Sequence, residues 1–233
     1  MLYNVVLVSA IQQPDQYPYA KTDINIYKIP DGIIVIEGYA FHQNQKLDFI
    51  KFNHDGKLTT IGENAFEGIV NVRTLTLPES ITTIENNAFA SMENLIIFVI
   101  RSSKVASCGD NVFKDNTNMR LYIPKDDATF CDTKVNATIT SFGETGDDVD
   151  YITTNKNELI IYGKENMYDY DDLNSIPWKD FKETIVTIEV DEKSHIYWKE
   201  CFQFNECDWK TNITINIDEY WRICIPIIRI TTN

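Results

Sequence analysis

Any chemistry in this chain would have to come from three histidines, five cysteines and 35 acidic residues set against 21 basic ones. The histidines, His42, His54 and His195, are scattered, and His42 and His54 follow an Ala-Phe pair and an apolar run, where solvated loops are expected. No P-loop, GxGxxG, HExxH or GxSxG occurs, and the nine glycines form no phosphate-cradling cluster. Asp147/Asp148 and Asp171/Asp172 offer the oxygen ligands calcium takes, but without the D-x-D-x-D-G spacing of a calcium loop. A hydrolytic carboxylate pair could be nominated anywhere among so many acids, and spacing singles none out. The expectation is a non-enzymatic chain with no cofactor and no metal site. An enzyme with an unrecognised site is carried as a minority alternative.

The residues that do recur on a fixed spacing are apolar. Ile61, Ala65 and Phe66 return as Ile84, Ala88 and Phe89, 23 residues later. A period of that size marks an array in which each unit buries its apolar side against its neighbours. Between the two copies, Val72, Leu75 and Leu77 precede Pro78 with the alternation of a short strand. The unit therefore reads as strand, turn and short helical segment. Ile24, Tyr27 and Ile29 before Pro30 open the array, followed by Ile36, Ala40 and Phe41. Leu47, Ile50 and Phe52 make the next strand, then Leu95, Phe98 and Ile100, and finally Leu121 and Ile123 before Pro124. The phenylalanines at 41, 66, 89 and 113 are spaced by 25, 23 and 24 residues and should stack as one buried row.

Cys108 stands where Ile36, Ile61 and Ile84 stand, five residues before the repeat phenylalanine, which predicts an inward cysteine. Cys131 follows one period later, 23 residues on. Adjacent coils about 5 Å apart are within disulfide reach, so a bridge and two free thiols both fit. Cys201, Cys207 and Cys224 have no such partner, and the odd total leaves at least one thiol unpaired.

The pattern strand-LPxS-I-xx-I-xx-xAF-xx-x-L, carried best by Leu75–Leu95, resembles the leucine-rich repeat of BspA-like surface proteins. The resemblance covers roughly residues 24–124 and implies a leucine-rich-repeat solenoid, β-rich within the α/β class. Its right-handed coils of about 23 residues would place a parallel sheet on one face. Beyond Asp126 the repeat fades. Val135–Ser141 is a plausible strand, and FGETGDDVD reads as a turn and acidic linker. Asp147–Tyr170 then reads as strand, Asn-rich turn and strand, a hairpin. With Leu159, Ile161, Gly163, Met167, Tyr170, Pro177 and Trp178 it resembles the segment that opens a new repeat block in the same family. Thr145, where a cysteine is frequent, and Tyr162, where a small residue is usual, depart from that pattern. Trp178 should cover the open end of a second, degenerate block. Its strands would lie at Ile185–Val190 and Ile213–Ile217, with Cys201-Phe202 as a worn Ala-Phe pair and RICIPIIRI as a last strand.

The expected organisation is a segment or cap at 1–22, the array at 23–130, an acidic linker and strand at 131–150, and the hairpin-led block at 151–233. Charge divides along the same line: the balance is −2 over residues 1–125 and −12 over 126–233, within a total of −14. So acidic a chain disfavours nucleic acid as a partner. No stretch approaches the roughly 18–20 apolar residues of a transmembrane helix. The opening MLYNVVLVSA fits either a secretion signal, though it lacks a basic start, or a first strand. Asn136 and Asn212 begin glycosylation sequons that matter only in a secreted chain.

If Leu75 and Leu77 point inward, Thr74 and Thr76 point outward from the sheet. The same register gives Ile26 and Lys28, Phe49 and Lys51, Ile97 and Val99, and Arg120 and Tyr122. Apolar groups beside three bases are what an interaction surface carries, although strands favour such residues in any case. The expected function is macromolecular recognition or adhesion through this outward face, with a protein or an anionic glycan as partner. The family resemblance implies a location at the cell surface or outside the cell. The alternative is a cytoplasmic scaffold of the same fold.

Overall fold

The computed structural model describes residues 6–8, 25–164, 167–168, 175–181, 184–191 and 214–216. The 11–22 loop, His195, Asp171/Asp172, Asn212, RICIPIIRI and the cysteines at 201, 207 and 224 lie outside the described residues. The chain divides into two compact units, Met1–Thr138 and Ile139–Asn233.

In the first unit each period supplies two strands. One set comprises β2 (Ile26–Lys28), β4 (Phe49–Lys51), β6 (Thr74–Leu77), β8 (Ile97–Ile100) and β10 (Arg120–Ile123). Within it β2 pairs with β4, and β6 with β8 and β8 with β10, all in parallel. The other set is β1 (Val6–Val8), β3 (Ile33–Ile36), β5 (Thr60–Ile61), β7 (Thr83–Ile84) and β9 (Ser107–Cys108), a five-stranded parallel sheet in that order. There are thus two strand sets where one sheet was expected, and the first is split, β2 and β4 forming a two-stranded sheet of their own. The short strands follow from TTI at 59–61 and 82–84: two residues suffice because each pairs with the same two residues one period away.

The expected short helical segment is absent. Among the described residues the sole helical element is a 3-10 turn, η1 (Lys179–Phe181), in the second unit. Around each repeat phenylalanine the backbone instead alternates in hand. The residues two before and two after are left-handed: Tyr39 and Gln43, Asn64 and Gly68, Asn87 and Ser91, Asn111 and Asp115. Asn and Gly tolerate that conformation best, which explains the recurrent Asn two places before Phe. The alternation aims every second N–H at the next period. Phe41 donates to the Ala65 carbonyl at 2.8 Å, Phe66 to Ala88 at 2.9 Å and Phe89 to Val112 at 3.0 Å. The N–H groups between them close tight turns on the carbonyl three residues back, as Ala65 does on Gly62. A third line of bonds therefore joins the periods, and helix formation would remove it. Side chains extend it: Asn71 and Asn94 each donate to a carbonyl of the preceding period at 2.7 Å. Ser80 and Ser102 do the same at 2.6 Å. Gly62 is required by this closeness, since a Cβ there would stand 2.4 Å from the Gly38 nitrogen.

The phenylalanine row forms as its spacing implies. Ring centroids of Phe41 and Phe66 are 5.1 Å apart, of Phe66 and Phe89 5.3 Å, and of Phe89 and Phe113 6.0 Å, all stacked nearly parallel. Tyr27 of β2, Phe98 of β8 and Phe52, just beyond β4, meet the row edge-on. Ala40, Ala65 and Ala88 beside them are buried.

β12 (Thr133–Gly146) takes up most of the span expected as an acidic linker, and its start pairs in parallel with β10 through Val135, Ala137 and Thr138. Phe142–Gly146 belong to this strand and not to a turn. Their alternation was hidden because two glycines and a glutamate read as breakers.

In the second unit the rest of β12 runs antiparallel to β13 (Val149–Thr154), which makes the expected hairpin with β14 (Glu158–Gly163). Asn157, with φ of 62°, closes the turn. β15 (Thr187–Val190) and β16 (Thr214–Asn216) continue in parallel, so the two later strands fall where the apolar residues placed them. Trp178 is fully buried and meets Tyr151 edge-on at 5.4 Å, within a cluster that includes Leu159, Ile161, Met167, Ile185 and Ile188.

Candidate functional site

The register of the outward face is as the alternation implies. Ile26 pairs with Phe49 and Lys28 with Lys51. Thr74, Ile97 and Arg120 form one row across β6, β8 and β10, and Thr76, Val99 and Tyr122 form the next. β4 lies beside β6, so the ten residues occupy one run of strands.

Burial splits that run in two. Ile97 and Val99 are 0% exposed, and Thr74, Thr76 and Tyr122 are also buried. These five outward-register side chains are therefore enclosed within the protein. Their sequence carried the reason: IFVI on β8 is a continuous apolar run, the pattern of a strand buried on both faces. IYK on β2 and FIK on β4 alternate instead, and there the outer side chains stay accessible. Ile26 is 39% exposed, Lys28 is exposed, and Phe49, Lys51 and Arg120 are half-buried. The accessible surface is an apolar pair, Ile26/Phe49, one step along the strands from a basic pair, Lys28/Lys51.

The pair Cys108–Cys131 is a disulfide with Cα atoms 5.5 Å apart. Cys108 aligns with Ile84 as expected. It is exposed, however, and not inward. β9 is the last strand of its sheet among the described residues, so no following period covers it.

Other candidate groups serve the framework. His42 Nδ1 lies 3.4 Å from Glu67, one period away, and the ring meets Tyr39 edge-on. The Asn136 side chain accepts the Leu121 N–H at 2.9 Å from within paired β12, which is a poor setting for a glycan. Thr145 is buried. Among the described residues no helix is long and apolar enough to cross a membrane.

None of the curated proteins matches the chain. Two solved structures resemble it. One is the pneumococcal vaccine antigen PcpA, 17% identical over 72% of this chain and 45% of that one, with a TM-score of 0.39. The other is a leucine-rich cell surface protein from Faecalibacterium prausnitzii, 12% identical over 73% of this chain and 52% of that one, with a TM-score of 0.26. The chain thus spans about half the length of each. The BspA type leucine-rich repeat region matches residues 13–137 in six copies, more than half of the sequence. With its parallel ladders and repeating Ala-Phe turns, the chain belongs to the BspA-type leucine-rich repeat family.

Proposed function

We propose that the chain is a non-enzymatic recognition or adhesion module working at the cell surface or outside the cell. It would engage a protein or an anionic glycan through the accessible part of the array face, Ile26, Lys28, Phe49 and Lys51. The observation that carries this reading is an accessible apolar pair, Ile26/Phe49, lying in register beside a basic pair, Lys28/Lys51, in a chain of net charge −14. Apolar area contributes affinity, and Phe49 is the natural anchor because aromatic residues dominate interface energetics. Two lysines on neighbouring strands steer an anionic partner toward it. Arg120, at the margin of the enclosed part, adds a third cation. Thr74, Thr76, Ile97, Val99 and Tyr122 shape the sheet beneath without touching the ligand. The disulfide supports an oxidising location over the cytoplasmic scaffold.

The test is a glycan array and a surface pull-down with the intact protein, its Phe49→Ala variant and a Lys28→Glu/Lys51→Glu variant. Phe49→Ala should weaken capture by about tenfold or more, the effect of losing an interface anchor. The charge reversal should abolish the part of binding that falls with added salt. Undiminished binding by both folded variants would remove this surface as the site.

A further inference from the structure

We propose that the Cys108–Cys131 disulfide is a redox-operated latch on a small lid, residues 129–134, that closes the end of the array. Three observations meet here. First, the sheet that runs through β3, β5 and β7 ends at β9, so the side of Cys108 that would face another period has none to meet among the described residues. Cys131 comes one period later in sequence but does not continue that sheet. It sits in the turn between β11 (Thr129–Phe130) and β12, which pair antiparallel through Thr129–Lys134 and Phe130–Thr133.

Second, that turn holds its cysteine in a conformation the residue does not favour. Cys131 and Asp132 both have positive φ, 44° and 58°. A two-residue hairpin loop of this kind is made for Asn-Gly, and a cysteine at its first position is disfavoured by its Cβ. Such a backbone persists where the surroundings over-determine it. The bond to Cys108 supplies that constraint.

Third, the lid has something to cover. Phe130, Cys131 and Val135 pack against the apolar cluster of the array, together with Val105 and Met119 of the last period. Phe113, the last ring of the stacked row, belongs to that cluster.

Cys108 is an exposed residue, so a dithiol can approach the bridge from its side. A thiolate of the reductant attacks one sulfur, the S–S electron pair leaves on the other, and the reductant's second thiol displaces the first sulfur. Two protein thiols result once protons are taken up, and the dithiol becomes its own disulfide. Freed of the constraint, the Cys131–Asp132 turn relaxes from its left-handed geometry and Phe130 lifts from the end of the core. The body of the array, held by three lines of bonds and the stacked rings, stays closed.

The test is amide hydrogen exchange on the full chain, read by mass spectrometry with and without dithiothreitol. Reduction should speed exchange by roughly tenfold or more over residues 106–113 and 128–135, as a local opening does. Exchange over residues 61–95 should be unchanged. The Cys108→Ser/Cys131→Ser variant should behave as the reduced protein and show no further response to dithiothreitol, which separates this bridge from the remaining cysteines. Reoxidation of the wild-type chain should restore protection, a readout that holds even if the variant folds poorly. Free thiols at both positions in air-oxidised protein would overturn the proposal. So would an unchanged lid on reduction, exchange that rises evenly along the array, or a dithiothreitol response that persists in the folded double variant.

Discussion

The array and the second unit bury their apolar residues by different means. In the array the core aromatics recur: Phe41, Phe66, Phe89 and Phe113 hold the same position four times over, each stacked on the next. Among the described residues of the second unit, Tyr151, Leu159, Ile161 and Ile188 gather into a cluster with Trp178, a buried tryptophan that has no counterpart in the array. Stability in a repeat array is a sum of unit and neighbour terms, so damage to one unit is felt by its neighbours and fades with distance. A cluster around one large residue has no neighbour to share the loss. The contrast also gives the two units different optical signatures. All four tryptophans, at 178, 198, 209 and 221, fall in the second unit, so tryptophan emission reports on it alone.

That contrast can be broken most sharply with a pair of truncations. Phe66→Ala and Trp178→Ala should each cost about 3–5 kcal/mol, as loss of a buried aromatic does. In urea, Phe66→Ala should lower the transition followed by far-ultraviolet circular dichroism and leave the tryptophan emission transition in place. Trp178→Ala should act on the second unit, with the array's share of the dichroism change holding its midpoint. Coincident shifts by both probes would show one cooperative unit and end the comparison.

A smaller effect sharpens the account of the array's turns. Asn87, with φ of 52°, donates its N–H to the Asp110 carbonyl at 2.9 Å. Asn87→Ala should cost about 1–2 kcal/mol, the penalty of a left-handed residue that bears a Cβ and has no local polar side chain. Asn87→Gly should be close to neutral in the same urea titration. Equal losses in the two variants would mean that the side chain, not the backbone, is what matters there.

The smallest expected change is Ser80→Ala, which removes one hydroxyl bond to the Leu58 carbonyl at 2.6 Å. About 1 kcal/mol should be lost, the net worth of a typical hydrogen bond. No loss in the denaturation midpoint would show that the third line of bonds needs no help from side chains.

Much of the array could be read from the residues alone because its signal is repeated. Ile, Ala and Phe at fixed offsets identify the buried row whatever the local conformation. The second strand set escaped notice because two residues, such as Thr83-Ile84, are too few for any alternation to show. The turn was read as helical because Ala-Phe between polar residues is compatible with a helix. The recurrent Asn at 64, 87 and 111 was the available sign of a left-handed backbone. On the outward face, register followed from alternation and burial did not. Strand pairing is local, whereas what encloses Ile97 and Val99 depends on tertiary packing, and only the unbroken apolar run on β8 hinted at it. Cys108 was placed correctly in sequence but read as inward, because three earlier periods with isoleucine there are each followed by another strand of that sheet and, among the described residues, the fourth is not.

The backbone bonds that run from Phe41 to Ala65, from Phe66 to Ala88 and from Phe89 to Val112 are chemically the same bond, indifferent to which period supplies either end. Deleting one whole period from the gene would leave every donor facing an acceptor and every ring facing a ring. Deleting half a period would leave neither. Heredity can therefore lengthen or shorten this protein in steps of a full unit by unequal recombination, with the fold acting as the filter that discards every other step. Variation among descendants should accordingly appear as changes in the number of units more readily than as changes in the length of one.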